Sequence, residues 1–398
     1  MTQLRTLSVL LLALVTPLLL ADSLPSSEIP TPTVINKPLI TPTPPAVNAK
    51  AYILIDVDSG KILAEKDATT KLPPASLTKM MTLYVVSNAL KHQQIHPDTK
   101  VRVSEAAWKA EGSRMFIKVG DEVPVQDLIK GVIVDSGNDA CIALAEHVGG
   151  SESSFADIMN QQAQQLGMTD SHFTDSTGLP NPQLYTTAKD LAVLGRAIIN
   201  HFPEYYPWYQ QKWFTYNNIR QPNRNRLLWR NSQVDGIKTG HTEEAGYCLV
   251  SSAKRDNMRL LAVVMGAPSD AIRADDSERL INYGFRFFET HALYPKDKTI
   301  QEVSVFKGRT SKLAVGAMEN VMVTIPVGQS DKLSVVSQIP KHLQAPIQAH
   351  QRVGELVVQL DQKPVATIPL YALHAVEQGG MLTRARDTVR LAFSRWIG

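Results

Sequence analysis

The sequence is poor in cysteine, in net charge and in metal-ligand patterns. Its 398 residues contain two cysteines, Cys141 and Cys248, which excludes the disulfide framework of small secreted domains. One bridge is an alternative, but a chain of this length buries a core without one, and we predict two buried free thiols. The formal net charge of +3 gives no reason to expect nucleic acid as a partner. The ten histidines show no ligand spacing, so we predict no metal and no other cofactor.

Long apolar runs are also scarce, and the one at the N-terminus is short for a membrane span. It covers 14 residues from Leu7 to Leu20, is interrupted by Pro17 and follows the cation Arg5. A membrane helix needs about 20 apolar residues, whereas the apolar region of a secretory signal has about 7 to 15. We therefore predict a signal peptide over residues 1–21 and export of the chain. An uncleaved anchor is the alternative, because the small-residue pattern before Ala21 is imperfect.

The remaining sequence divides into four parts, as expected for a chain too long for one core. Residues 22–48 are rich in Pro, Thr and Ser and predict a linker. Residues 49–290 predict strands, then helices, then strands and a closing helix, which is the order of an α+β domain. Short alternating runs in residues 291–376 predict a small all-β, sandwich-like domain. Residues 377–398 predict a C-terminal amphipathic helix.

Within the α+β part, the first two strands are joined by the turn sequence Asp58-Ser59-Gly60, which indicates a hairpin. The apolar periodicity predicts helices over 76–90, 125–148, 154–166, 187–199 and 271–290.

A serine and a lysine stand three positions apart in the segment PPASLTKM, residues 73–80. The prolines disfavour helix before Ala75, so Ser76 is predicted in a first helical turn with Lys79 on the same face. The amine can then approach the hydroxyl, and the helix N-terminus directs N–H groups at an oxyanion. Because the ordinary pKa of lysine is about 10.4, a basic role requires burial and a second cation to lower it. The alternative is that Ser76 only caps the helix.

This spacing alone is weak evidence, because Ser251 and Lys254 repeat it in a predicted strand, where the two side chains point to opposite faces. Two further motifs follow in order: Ser-Gly-Asn at 136–138 and, on a predicted strand, Lys-Thr-Gly at 238–240. Gly240 leaves room there for substrate or for a neighbouring backbone. A plain turn would explain Ser-Gly-Asn on its own, and an edge strand that ends at glycine would explain Lys-Thr-Gly. These explanations do not account for the occurrence of all three motifs in this order.

The three motifs together resemble the signature of the penicillin-recognising serine enzymes. The stretches KLPPASLTKMMT, SGNDACIALAEHVGG, VDGIKTGHTEEAGY and RFFET are similar to D-alanyl-D-alanine carboxypeptidases of the low-molecular-mass penicillin-binding proteins, and the similarity runs from Ala51 almost to the C-terminus. It implies a β-lactamase/transpeptidase-like sheet flanked by helices, then the small all-β domain and the terminal helix. It also implies a peptidoglycan pentapeptide stem ending in D-Ala-D-Ala as substrate, and β-lactams as inhibitors.

Position by position, the resemblance implies three catalytic residues. Ser76 would attack the carbonyl between the two D-alanines and become acylated. Lys79 would be the general base, and Ser136 would pass the proton to the leaving amine. Asn138 would hold both the acyl amide and Lys79.

The resemblance also implies a set of substrate contacts. Lys238 and Thr239, followed by Gly240, would bind the terminal carboxylate, and the charge of Lys238 would help to keep Lys79 neutral. The backbone N–H groups of Ser76 and His241 would form the oxyanion hole.

Two arginines and one loop complete this resemblance. Arg273 falls where the family has an arginine near the carboxylate, and the alternative is a surface cation. Arg224 is a candidate of the same kind. In the segment DSTGLPN, residues 175–181, Thr177 replaces a histidine that some relatives carry.

A β-lactamase would share the three motifs, but the class A solution adds a glutamate that activates water. None of Glu146, Glu152 and Glu204 begins the Glu-x-x-Leu-Asn run of that solution, so we predict slow release of a penicilloyl group and hence inhibition. An inactive, membrane-tethered binding module is a further alternative, against which the intact motifs argue.

Residues 381–398 carry four arginines and Asp387 along an amphipathic helix. Its apolar arc consists of Met381, Leu382, Ala385, Val389, Ala392, Phe393, Trp396 and Ile397, with Arg386 at the edge of the arc and Leu391 on the polar side. The charges disfavour spanning, since each costs roughly 2.5 to 3.5 kcal/mol near a bilayer centre. We predict that this helix lies on the membrane surface, at the periplasmic face of the bacterial inner membrane. The alternative is a helix that packs on its own β domain with the same stripe.

Overall fold

The structure is a computed structural model that describes residues 41–397, with side chains described to residue 392. The predicted signal peptide, residues 1–21, and most of the predicted linker lie outside the described residues.

The first domain is built on a central five-stranded antiparallel sheet with helices on both faces. In chain order its elements are β1 (Ala51–Asp56), β2 (Ile62–Lys66), α1 (Lys79–Lys91), β3 (Lys100–Arg102), α2 (Glu105–Trp108), β4 (Glu122–Pro124), α3 (Val125–Lys130), α4 (Asn138–Gly149), α5 (Glu152–Leu166), α6 (Ala188–His201), β5 (Trp213–Tyr216), β6 (Ile219–Pro222), α7 (Leu227–Arg230), β7 (Val234–Thr242), β8 (Gly246–Arg255), β9 (Met258–Ala267) and α8 (Asp270–Phe287). The strand order in the central sheet is β2-β1-β9-β8-β7.

Both faces of this sheet are buried, which explains why its strands are apolar at consecutive positions. On β1, Ile53 and Ile55 enter a core shared with α1, α4, α5 and α6, whereas Leu54 enters a second core with Leu280 and Ile281 of α8. Successive strand residues point to opposite faces, so a strand covered on both sides reads as a continuous apolar run. The predicted α+β class is therefore confirmed.

Two predicted helices are interrupted, and both interruptions lie at the motifs. Ser76 lies in a 3-10 turn, Ala75–Thr78, that precedes α1. The predicted helix over 125–148 is wrong as a single span: α3 passes into a π-helical turn, Gly131–Asp135, and the chain breaks at Ser136 before α4 begins. The break is fixed by contacts remote in sequence, because Asp139 accepts hydrogen bonds from the backbone of residues 115–117.

The second domain is all-β and follows α8 without an intervening loop. Its strands are β10 (Phe288–Tyr294), β11 (Gln301–Phe306), β12 (Lys312–Gly316), β13 (Val321–Pro326), β14 (Leu333–Gln338), β15 (Leu343–Gln344), β16 (Arg352–Leu360) and β17 (Lys363–Ala372). Strands β10 and β13 form a pair, and the other six form a sheet in the order β14-β16-β17-β12-β11-β15. Its core includes Leu313, Val315, Leu356 and Leu370.

The C-terminal helix, α9 (Met381–Ile397), packs on this domain through a side that the periodicity placed outside the apolar arc. Leu391 and Asp387 are buried, and Asp387 Oδ2 accepts a hydrogen bond of 2.7 Å from the backbone N–H of Lys307. Met381, Leu382 and Val389 of the predicted arc are exposed. α9 therefore packs on its own β domain, as in the alternative interpretation, but Met381, Leu382 and Val389 of the apolar stripe do not make this contact. Among the described residues, no helix combines the length and apolarity needed to cross a membrane.

Candidate active site

Ser76 is held where three backbone segments meet. It is the second residue of the 3-10 turn, whose first residue, Ala75, has a φ of +49°. Gly240 of β7 lies against this turn, and a Cβ atom there would come within 2.9 Å of the Pro74 carbonyl oxygen. Gly178 presses on the turn from the other side with a φ of +84°, and a Cβ atom there would overlap the Ala75 carbonyl oxygen. Two glycines thus permit the close approach that seats the serine.

Lys79 is fully buried, and its amine contacts the serine. Nζ lies 3.0 Å from Ser76 Oγ and donates to the Thr177 carbonyl oxygen at 2.6 Å. Burial lowers the pKa of Lys79, and the nearby charge of Arg224 acts in the same direction, whereas Asp175 opposes it. A neutral amine keeps a lone pair toward Ser76 while one N–H donates to Thr177. This arrangement is the one that a general base requires.

Lys238 and Ser136 form a second lysine–serine pair. Lys238 is buried on β7, and its Nζ donates to Ser136 Oγ at 2.9 Å and to the Thr239 carbonyl oxygen at 3.0 Å. Ser136 has a left-handed backbone with φ of +59°, which turns its hydroxyl away from the helical path of α3. Burial, and then the charges of Lys79 and Arg224, lower the pKa of Lys238 well below its usual value.

Asn138 is buried at the start of α4, where the loop before β4 fixes it. Its Nδ2 donates to the Glu111 carbonyl oxygen at 2.6 Å, and its backbone N–H donates to the Ser113 carbonyl oxygen at 2.7 Å. The Lys79 amine has Ser76 and Thr177 as partners instead. A direct hold of Asn138 on Lys79 is therefore not how the amine is positioned in this structure.

Arg273 lies behind β7 and is nearly inaccessible, with 6% of its surface exposed. Its guanidinium donates to the Gly240 carbonyl oxygen at 3.0 Å and pairs with Asp270. It also lies over the ring of Tyr247, which stacks on His241 at a centroid distance of 3.9 Å. The surface-cation interpretation is wrong, and Arg273 supports the strand beside the serine. His241 itself is exposed.

Asp135 is a buried carboxyl directly before Ser136, and the sequence motifs did not identify it. It is 2% exposed, and its Oδ1 has no hydrogen-bond partner among the described residues. Burial, and then the charge of Asp139, raises the pKa of Asp135 to about 7, while Arg224 opposes the shift. The sequence shows an aspartate next to Ser136, but periodicity does not reveal that its side chain turns inward.

The two cysteines are free and buried, as predicted. Burial raises the pKa of the Cys141 thiol to about 12, so this neighbour of the lysines is uncharged at neutral pH.

The chain matches two family descriptions along most of its length. Residues 39–269 match the D-alanyl-D-alanine carboxypeptidase family, and residues 288–378 match the C-terminal domain of penicillin-binding protein 5. It is 47% identical to the D-alanyl-D-alanine carboxypeptidase DacC of Escherichia coli K12, over 89% of this chain and 90% of that protein. It is 42% identical to DacA of Haemophilus influenzae, over 88% of this chain and 92% of that protein.

Solved structures agree with these matches. Penicillin-binding protein 5 from Haemophilus influenzae superposes with a TM-score of 0.80 at 43% identity, covering 84% of this chain and 99% of that one. Penicillin-binding protein D2 from Listeria monocytogenes, in its ampicillin-bound form, superposes with a TM-score of 0.56 at 30% identity, covering 60% of this chain and 98% of that one. Two serine–lysine pairs with buried lysines on this fold, together with these relatives, show that the chain belongs to the D-alanyl-D-alanine carboxypeptidases, serine enzymes of the low-molecular-mass penicillin-binding protein family.

Proposed function

We propose that this carboxypeptidase removes the terminal D-alanine of a peptidoglycan pentapeptide through an acyl-enzyme on Ser76, with Lys79 as the base. The observation that carries this proposal is the 3.0 Å contact between Lys79 Nζ and Ser76 Oγ in a site where the lysine is fully buried. A buried amine is more easily deprotonated, and a deprotonated amine can take the hydroxyl proton as the serine attacks.

In the acylation step, Ser76 Oγ bonds to the carbonyl carbon between the two D-alanines, and its proton moves to Lys79 Nζ. Ser136 then relays this proton: its hydroxyl gives a proton to the nitrogen of the leaving D-alanine as the carbon–nitrogen bond breaks, and it regains one from Lys79, which returns to the neutral form. The 2.9 Å contact between Lys238 Nζ and Ser136 Oγ supports a role for this pair in moving that proton. Water hydrolyses the resulting ester and frees the serine.

Lys238 and Thr239 are the proposed contacts of the substrate's terminal carboxylate. A carboxylate beside Lys238 offsets the cost of a buried positive charge, so substrate binding favours the charged form of Lys238. That charge in turn disfavours a proton on Lys79, its buried neighbour. Binding of the anionic substrate end thus prepares the base for the reaction.

A β-lactamase activity is the second candidate, and the environment of Glu152 argues against it. Glu152 Oε1 accepts hydrogen bonds from Ser176 Oγ at 2.8 Å and from the Ser176 backbone N–H at 3.3 Å. This carboxylate is therefore engaged in holding the loop beside Lys79 and is not positioned as a water-activating base.

Mass spectrometry tests the acyl-enzyme directly. After incubation with penicillin, we expect one covalent adduct per chain, located by proteolysis on the peptide that contains Ser76 and persisting for many minutes. With a pentapeptide ending in D-Ala-D-Ala, we expect release of one D-alanine per peptide. An adduct on another residue would contradict the assignment, and rapid turnover of the penicillin would favour the β-lactamase.

We also propose that the chain is exported, with residues 1–21 as the signal, and that α9 binds it to the periplasmic face of the inner membrane. Support comes from the outer side of α9, where Met381, Leu382 and Val389 are 78%, 89% and 67% exposed. Because Asp387 and Leu391 hold the helix to the β domain, this apolar side remains free for lipid. The arginines of the helix add attraction to anionic lipid.

Replacing Met381, Leu382 and Val389 together with serine is expected to release the protein from membranes. Each apolar side chain contributes roughly 1.5 to 3 kcal/mol when buried, so partition onto vesicles of anionic lipid should fall at least about 100-fold. Vesicle sedimentation of the purified protein and fractionation of cells measure the effect. Val336→Ser, at an exposed apolar position of β14, is the matched control. If the triple variant still sediments with membranes, the N-terminal segment is the anchor.

A further inference from the structure

The loop over residues 174–179 contributes to the active site through its backbone. The Thr177 carbonyl oxygen accepts the 2.6 Å hydrogen bond from Lys79 Nζ, which is shorter than the 3.0 Å contact between that amine and Ser76 Oγ. The orientation of one peptide group therefore decides where the amine lies. No motif of the sequence assigns a residue to this task.

Asp175 builds the turn that orients this peptide group. Its Oδ1 accepts three hydrogen bonds of 2.7 Å, from Thr177 N–H, Thr177 Oγ1 and Gly178 N–H. Its Oδ2 accepts one from Thr174 Oγ1 at 3.0 Å. One carboxylate oxygen thus holds together the two residues that contact Lys79 and the serine turn, and the Thr177 side chain faces Asp175 rather than the amine.

The loop is also tied to the helix that carries the base. Thr82 Oγ1, one turn after Lys79 on α1, donates to the Ser176 carbonyl oxygen at 2.6 Å. Glu152 holds the Ser176 side chain from α5. Ser176 is therefore fixed from two helices, and the Thr177 peptide that follows it takes the conformation that Asp175 imposes.

Asp175 also contributes charge. The charged or titratable groups that face Lys79 come from four elements: Asp139 and Cys141 of α4, Asp175 of the loop, Arg224 before α7 and Lys238 of β7. Arg224 and Lys238 are cations that favour a neutral amine, and the Cys141 thiol is uncharged. Asp139 and Asp175 oppose them, and Asp139 is already used by the backbone of residues 115–117.

We propose that Asp175 is the positioning residue of the catalytic base: it folds the turn that presents the Thr177 carbonyl to Lys79, and its charge sets the pH range in which that amine accepts a proton from Ser76. The inference rests on the proposed role of Lys79. It assigns to a carboxylate of this loop a function that the motifs leave unassigned.

Asp175→Asn separates charge from geometry. The amide oxygen can accept the same three hydrogen bonds, and the amide N–H can donate to Thr174 Oγ1 in place of the bond that Oδ2 accepts. We expect the acidic limb of the acylation rate against pH, measured with penicillin, to move to lower pH by about 0.5 to 1 unit. The plateau rate should stay within about threefold, since the geometry is kept.

Asp175→Ala removes both the acceptor and the charge. Because Thr177 is then no longer oriented, we expect the plateau acylation rate to fall by about 10- to 100-fold, with a smaller change in non-covalent penicillin binding. Asp170→Asn is the matched control, because this carboxylate is half-exposed, pairs with Lys71 and precedes the same loop. It should leave both the limb and the plateau unchanged.

An unmoved acidic limb in Asp175→Asn would overturn the charge part, and a plateau rate in Asp175→Ala equal to that of the parent would overturn the positioning part. If Asp175→Ala does not fold, Asp175→Asn tests both parts: its acidic limb tests the charge, and a plateau rate that falls by more than about threefold would contradict positioning by the hydrogen bonds that the amide keeps. Failure of the proposed base is distinguishable, because then Lys79→Arg would acylate as fast as the parent.

Discussion

Lys79→Arg is expected to lower the rate of Ser76 acylation by at least about 1,000-fold, even though it conserves charge and donor groups. An arginine remains protonated under all conditions in which proteins fold, so it donates to Ser76 and Thr177 but accepts nothing. A lysine that only anchored the serine by hydrogen bonds would tolerate the exchange far better. The variant therefore separates a base from a structural cation.

Stopped-flow labelling with a fluorescent penicillin measures this rate, and D-alanine release from a pentapeptide provides a second assay. Because Lys79 is fully buried, the larger arginine can disturb packing. Lys79→Gln, which fits the site without a charge, is the second variant, and it should be similarly slow. Melting temperatures of both variants report on folding. Acylation at the parental rate in either folded variant would require another proton acceptor.

Asp135→Asn is expected to make the protein more stable than the parent at alkaline pH. The pKa of Asp135 is raised to about 7 in the fold by burial and by Asp139, whereas an unfolded aspartate titrates near 3.9. The folded state thus holds this proton over a range in which the unfolded state has lost it. The stabilising contribution is complete below about pH 3.9 and is lost as the pH rises through about 7.

Between pH 5 and pH 8.5, this difference amounts to about 2 to 3 kcal/mol of unfolding free energy. The stability of Asp135→Asn minus that of the parent should rise by that amount over the interval, since an amide does not ionise. Urea denaturation at several pH values measures it. Asp127→Asn, on the preceding helix α3 and next to Lys130, is the control for loss of a carboxylate. A difference that stays constant with pH would show that Asp135 is ionised throughout.

The fold class and the motifs could be predicted from the sequence, because both depend on short-range patterns of residues. The strand–helix–strand order indicated the α+β domain, and Ser76, Lys79 and Lys238 stand in motifs of fixed spacing. The periodicity of α1, α5, α6 and α8 was likewise close to the observed bounds. Active-site residues that stand at a fixed, short spacing can be identified from the sequence alone.

The features that could not be predicted depend on contacts between segments that are far apart in the sequence. The Thr177 carbonyl meets Lys79 across 98 positions, and Lys238 meets Ser136 across 102. The predicted helix continued through Ser136 because the apolar periodicity is kept on both sides of it, although Gly137 follows directly. The break is held by the hydrogen bonds between Asp139 and the backbone of residues 115–117. Leu391 was placed on the polar side of α9 because helical periodicity contains no information on which side of the helix the β domain covers.

The C-terminal helix is already ordered on its own domain, with Asp387 secured by the backbone of Lys307. An unstructured tail would lose about 1 to 2 kcal/mol of backbone entropy for each residue that adsorption orders. Here that loss belongs to folding of the chain, so contact with a bilayer needs no coil-to-helix transition. For the membrane attachment proposed above, the helix would therefore bind, leave and rebind a bilayer in one and the same folded conformation.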